Sequence, residues 1–224
     1  MDMKDKVCIV TKASSGIGLA IARLTEIPNS MAVAADIAKA FEIKRMVKEV
    51  VDHFDGIDVL VNNAGIGYDA FVERIDPDTY HYVFDLDLVG PVVAMQQVIP
   101  YMKKGGAGAI VNVSSAVALM TLPNYAPYVS IKRALAVVSL TAREELKKDN
   151  IAVSVAYPYI TLTNFERNTI RDVSVPESEL EPRGPFPPDS AEYTAEKIVE
   201  GIESDEAEIF THEWLRQRAQ VNRE

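Results

Sequence analysis

The stretch that most constrains this chain lies near its start. Val7-Cys8-Ile9-Val10 is a short apolar run, followed by Thr11-Lys12-Ala13-Ser14-Ser15-Gly16-Ile17-Gly18 and then by Leu19, Ala20, Ile21, Ala22 and Leu24 in helical spacing. A short continuous apolar run bounded by turn residues reads as a strand buried on both faces, as in parallel sheets. Strand, small-residue turn and helix together make the geometry that holds a pyrophosphate at a helix N-terminus. Gly16-Ile17-Gly18 alone is equally compatible with a plain strand-to-helix turn.

The same kind of apolar run recurs down the chain. Met31 to Asp36, Ile57 to Val61, Ala109 to Val113, Ile151 to Ala156 and Ala207 to Phe210 read as strands. Phe41, Ile43, Met46, Val47, Val50 and Val51 mark an amphipathic helix through His53, and Pro28-Asn29-Ser30 a turn. Asp76-Pro77 caps a long helical pattern that runs from Thr79 to Met102 and is broken at Gly90-Pro91. A proline inside a helix lacks the N–H that would bond the carbonyl four residues back, here that of Asp87. Further helices follow from Tyr128 to Asp149, from Ala191 to Ser204 and from Trp214 to the end.

The bulk numbers exclude several functions. With 224 residues, 48% hydrophobic and 25% charged, the chain is long enough for one well-buried domain spanning 1–224. A net charge of -10 argues against a nucleic-acid or anionic-membrane partner. No apolar run approaches the roughly 20 residues of a membrane span, and no signal-peptide pattern follows Met1. Single Cys8 cannot form an intrachain disulfide and fits a reducing, cytoplasmic setting. Three scattered His and one Cys leave no metal site.

The candidate chemistry centres on Ser115 to Lys132. Tyr128 and Lys132 are four residues apart, so a helix places both on one face. An ammonium beside a phenol favours the phenolate and lowers a pKa of roughly 10 toward the range where protons exchange near neutrality. Ser115 ends the apolar run Ala109 to Ser114 and can hold the oxygen of a carbonyl or alcohol. Taken alone, Tyr128 packing in a core and Lys132 snorkelling out is the simpler reading.

Taken with its surroundings, the chain resembles the short-chain dehydrogenase/reductase family, whose fingerprint is Thr-Gly-x-x-x-Gly-x-Gly. Thr11, Gly16 and Gly18 match, while Lys12 stands at the first glycine. Asn62-Asn63-Ala64-Gly65, Ser115, Tyr128 with Lys132, and Pro158 to Thr163 follow in the family's order. The resemblance implies a three-layer doubly wound parallel sheet of Rossmann type. It implies hydride transfer between NAD or NADP and a carbonyl or secondary alcohol substrate. Ser115, Tyr128 and Lys132 are then the catalytic triad, and Asp87, at the family's asparagine, anchors a relay water through its main-chain carbonyl. The cofactor would lie against Thr11, Ser14, Ser15, Gly16, Ile17 and Gly18, then Asn63, Ala64 and Gly65. Tyr128, Lys132, Pro158, Tyr159, Thr161 and Thr163 would hold its nicotinamide end. The proline-punctuated residues 164–190 become a substrate lid, and a homotetramer or homodimer is implied.

The departures from the family pattern are specific. Lys12 in place of a glycine should cost on the order of 1–3 kcal/mol if the backbone is kept. Tyr159 and Thr161 replace a glycine and an aliphatic residue. Between the glycine loop and Asn62 there is room for one strand and one helix after the first helix, so a βα unit is missing. Asp36 is therefore open to two readings. It is either a ribose-binding acid ending the second strand, which favours NAD, or with Ile37 an adenine-contacting pair after the third. The alternative function is a chain that keeps the fold but binds cofactor weakly or not at all.

Overall fold

The computed structural model describes residues 1–24, 30–173, 175 and 186–221. Its centre is a five-stranded parallel sheet in the order β1-β2-β4-β5-β7. These strands are β1 (Cys8–Val10), β2 (Val59–Asn62), β4 (Gly108–Val113), β5 (Ile151–Tyr157) and β7 (Glu208–Phe210). A two-stranded pair beside it joins β3 (Tyr68–Asp69) to β6 (Ile170–Arg171).

Alternation along the strands feeds two cores, because successive side chains leave a strand on opposite faces. Leu60 and Ile110 point to one face, where they meet α2 (Ala40–Phe54) and α4 (Gly90–Gly105) through Ile43, Val47, Val98 and Met102. Val59, Val61, Ala109 and Val111 point to the other, against α1 (Gly16–Leu24) and α7 (Ala191–Glu203) through Ile21, Ile198 and Ile202. The helix α5 (Ala126–Leu146) lies on the α4 side, with Ile131 and Leu135 packed against Tyr68, Val83 and Leu88. Two shorter helices complete the chain, α6 (Phe165–Asn168) and α8 (Glu213–Val221).

Asp76 does cap its helix: its carboxylate accepts from Thr79 N at 2.8 Å, ahead of α3 (Pro77–Phe84). Gly90-Pro91 does not break the chain's helical run. A one-turn π segment, Asp85–Val89, joins α3 to α4, so the helix runs from Pro77 to Gly105. The extra residue of that turn accommodates the missing N–H of Pro91. The run is long and apolar enough to cross a membrane, but Ala94, Val98 and Met102 are fully buried in the protein's own core. Its apolarity is that of a core helix.

One expected element is absent. Residues 30–36 are irregular rather than a strand, and among the described residues β1 pairs only with β2. A strand at Met31 to Asp36 needs a neighbour to satisfy its backbone groups, and no described strand lies between it and β1. The segment also links two faces: α1 packs with one core and α2 with the other. Val33 and Ala35 rest against the α2 core, and Arg45 donates to Ala34 O. The expected turn at Pro28-Asn29 lies outside the described residues.

Candidate active site

The site forms where the parallel strands end at their carboxyl termini, the usual position for ligands in open α/β sheets. Thr11, just past β1, ties two loops together. Its Oγ1 accepts from Asn63 N at 2.9 Å and Ala64 N at 2.8 Å, and its carbonyl accepts from Asn63 Nδ2 at 3.0 Å. Asn62 points inward instead, donating to Asn112 Oδ1 at 2.8 Å, while Asn112 donates to Ser139 Oγ at 2.8 Å. This buried chain of two amides and a hydroxyl joins β2, β4 and α5 and rigidifies the strand ends, with Asn62 Oδ1 left unpaired.

The glycine loop keeps its shape around two glycines. Gly16 sits at φ +55°, and a Cβ on Gly18 would lie 2.6 Å from both Lys12 O and Asn63 Nδ2. Lys12 takes the left-handed conformation at φ 55° that a glycine would accept freely. Its ammonium turns inward, donating to Gly65 O at 2.9 Å and lying 5.8 Å from the Phe165 ring centroid. Burial lowers its pKa, opposed by the charge of Asp87.

At the end of β4, the Ser114 hydroxyl donates to Lys132 O at 2.9 Å, fixing α5 against the strand. Ser115 Oγ instead accepts from Val117 N at 3.4 Å and acts on the Tyr128 phenol to pull its pKa down. Tyr128 and Lys132 are both buried on one face of α5. The Lys132 ammonium lies 5.7 Å from the Tyr128 ring centroid, donates to Val113 O at 3.1 Å and meets Asp87 Oδ2 at 3.1 Å.

The expected lowering of the Tyr128 pKa by Lys132 is not what the structure shows. The phenol is pushed up, first by burial and then by the Asp87 charge, with only the Ser115 hydrogen bond pulling it down among the leading causes. Burial is the main reason, and the buried Asp87 carboxylate, paired with Lys132 at 3.1 Å, adds to it. Asp87 is fully buried and also accepts from Ile66 N at 3.0 Å. Burial raises its own pKa against the pull of Lys132 and Lys12.

A cavity of about 240 Å³ runs between these groups. Ser15, Gly16 and Ile17 of the glycine loop line it together with Ser115, Tyr128 and Lys132. Asn63, Gly65, Pro158, Tyr159, Thr161 and Thr163 also line it. Thr11, Gly18, Ala64 and Asp87 lie behind this wall, and Ser14 is exposed. Asp36 is elsewhere, engaged by Lys39 Nζ at 3.0 Å and Ala38 N at 3.0 Å, while Ile37 is buried in the α2 core. Tyr159 brings no strain, since it does not adopt a positive φ. Its N–H is bound by Thr211 Oγ1 at 3.0 Å and its hydroxyl donates to Phe186 O at 2.8 Å. Thr161 bonds Tyr159 O at 2.8 Å, and Thr163 accepts from Phe165 N at 3.1 Å.

Of the expected lid, 174 and 176–185 lie outside the described residues, with Pro176, Pro182 and Pro185 among them. The described part brings Phe165 to 5.6 Å from the Tyr128 ring and pairs β6 with β3. That pairing reveals a residue the sequence did not single out. Asp69 lines the cavity, buried, with its carboxylate 3.3 Å from Arg171 Nε. Burial raises its pKa to about 6 despite Arg171. Two-residue strands from distant parts of the chain carry no periodicity that would have flagged it.

The short chain dehydrogenase family model matches residues 24–174. The chain belongs to the short-chain dehydrogenase family. The match begins after the glycine loop, the part that carries the Lys12 departure. The chain is 33% identical over 184 residues to the 3-oxoacyl-(acyl-carrier-protein) reductase FabG of Thermotoga maritima, covering 70% of this chain and 75% of that one. It is 40% identical over 129 residues to the FabG of Staphylococcus epidermidis, covering 58% of this chain but 53% of the relative. The chain thus spans about half the length of the staphylococcal relatives it matches. Among solved structures, the 3-ketoacyl-(acyl-carrier-protein) reductase of Brucella melitensis complexed with NADH superposes with a TM-score of 0.83 at 22% identity, over 93% of this chain and 97% of that one. A short-chain dehydrogenase/reductase of Burkholderia phymatum in complex with NAD gives 0.84 at 18% identity, over 100% and 94%. These likenesses establish the fold.

Proposed function

We propose that this dehydrogenase-family chain is an NAD(P)-dependent oxidoreductase that interconverts a small carbonyl compound and its secondary alcohol. One observation carries the reading. Ser115, Tyr128 and Lys132 line the same cavity as Ser15, Gly16 and Ile17 of the glycine loop. Gly16 and Gly18 let the loop pack closely against Thr163, Asn63 and the Lys12 carbonyl, which sets the helix N-terminus of α1 at the cavity. Ser15, Gly16 and Ile17 would hold a dinucleotide's pyrophosphate, Asn63, Gly65 and Lys132 the nicotinamide ribose, and Pro158 and Thr163 the carboxamide. The bound nicotinamide supplies or accepts the hydride.

Tyr128 then gives its proton to the substrate oxygen in reduction and takes it back in oxidation. A buried phenol with a raised pKa holds its proton at neutral pH, so it meets a carbonyl substrate in its protonated form. The Ser115 hydroxyl orients the substrate oxygen. The Asp87 carbonyl, four residues before Pro91, is the proposed anchor for a relay water.

The nucleotide in this reading is NAD or NADP, since Asp36, the acid that would repel a 2′-phosphate, lies outside the cavity lining and is engaged by Lys39. Assembly into a homodimer or homotetramer through α4 and α5 is supported by the exposed Val89 and Val137 on that surface. A cytoplasmic location is supported by the single cysteine. Its thiol is pushed up to about 12, chiefly by burial, and so is unreactive.

The test is a titration of the purified protein with NADH and, separately, NADPH, followed by nicotinamide fluorescence. Micromolar binding of at least one of the two is expected. No binding of either at millimolar levels overturns the reading and leaves a fold without its chemistry.

A further inference from the structure

Two departures from the family pattern, Lys12 and Asp87, are far apart in sequence but converge on Gly65. The Lys12 ammonium is bound by Gly65 O at 2.9 Å, and a Cβ on Gly65 would lie 2.8 Å from Asp87 Oδ2. Asp87 is thus a carboxylate with no solvent exposure, held by Ile66 N at 3.0 Å from the loop after β2 and by Lys132 Nζ at 3.1 Å from α5. Lys12, in the loop after β1, supplies the second cation. The groups acting on Tyr128 are Asp87 and Ser115, with Asp69 from β3 and Glu166 from α6 at longer range.

This arrangement gives Asp87 a task that its main-chain carbonyl does not perform. The Lys132 ammonium sits by the Tyr128 ring, 5.7 Å from the centroid, with its hydrogen bonds directed to Val113 O and its ion pair to Asp87. We propose that the Asp87 carboxylate is a positioning residue acting through Lys132, holding the ammonium beneath the Tyr128 ring and withholding its charge from the phenol oxygen. The inference rests on the reading of Tyr128 as the proton-exchanging group. With a neutral amide in place of the carboxylate, the ammonium's field at the phenol is uncompensated and the phenolate is favoured. The family departure at this position therefore sets how acidic the phenol is, and it keeps that phenol protonated and less acidic.

The experiment is a pH titration of tyrosinate absorbance in the nucleotide-free protein. Wild type is compared with Asp87→Asn, and each with its Tyr128→Phe partner so that the signal of Tyr128 is isolated from the other tyrosines. Asp87→Asn is expected to move the Tyr128 titration to lower pH by about 1 unit or more, a tenfold gain in acidity. If Asp87 only fills space and bonds Ile66 N, the isosteric amide leaves the titration where it was, and the proposal is overturned. Asp87→Ser, which leaves room for a water on Lys132, carries the same comparison if Asp87→Asn does not fold. Because no nucleotide is present, the outcome is independent of the NADH titration. A protein that fails to bind NADH yet shows the shift refutes the oxidoreductase reading and leaves the Asp87 coupling standing.

Discussion

The two walls of the crevice differ in what holds them. On the β4 side, Ser115, Tyr128 and Lys132 are backed by the Asn62–Asn112–Ser139 chain and by strands paired on both edges. On the β1 side, the glycine loop rests on a three-residue edge strand, and residues 30–36 run beside it without joining the sheet. The difference teaches where this chain tolerated change. A wall built on central strands is held by neighbours on both sides. A wall at the sheet edge is held on one side only, and its Lys12 reaches across to Gly65 O and the Asp87 charge.

The largest expected effect tests the intact wall. Tyr128→Phe keeps the ring packed against Phe165 but removes the proton, and turnover with NAD(P)H and a carbonyl substrate should fall about 10²- to 10⁴-fold. Full activity in that variant would break the comparison, since the best-built wall would then do nothing.

Stability separates the walls next. Val61→Ala, on β2 and fully buried, should cost about 2 kcal/mol or more in urea unfolding. Val33→Ala, at the β1 edge, should cost under about 1 kcal/mol. Equal losses would mean that residues 30–36 are as integral as the central strands.

Asp69 gives a pH signature on the catalytic side. Its folded pKa of about 6 exceeds the ordinary value of 3.8. Between those values the folded chain holds the proton that the unfolded chain has lost, so stability falls as pH rises from about 4 to about 6. Asp69→Asn should flatten that decline, on the order of 1 kcal/mol in thermal unfolding across the window. An unchanged slope would place the titrating group elsewhere.

The smallest effect addresses the edge directly. Lys12→Gly relieves a left-handed lysine but frees the unfolded chain and loses the bond to Gly65 O. Stability should change by less than about 1 kcal/mol. NADH affinity should rise several-fold if the lysine is what weakens this wall, and a fall would make Lys12 a phosphate partner instead.

The order of strands and helices was legible because burial on two faces writes continuous apolar runs, and one-sided burial writes helical spacing. The (i, i+4) placement of Tyr128 and Lys132 was legible for the same local reason, and so was the strain at Lys12. Met31 to Asp36 misled, since its composition is that of a strand while strand formation depends on a neighbour that the local sequence does not specify.

Short-range geometry alone sets which residues share a helix face, which runs enter a core, and which loop can cradle an anion. Which charges meet depends on the folded arrangement. Lys12, Asp87 and Lys132 come from three separate elements around Gly65, and Asp69 meets Arg171 across a strand pair. Electrostatics inside a low-dielectric core depends on distances of a few ångströms between residues remote in the chain, and no local pattern encodes those.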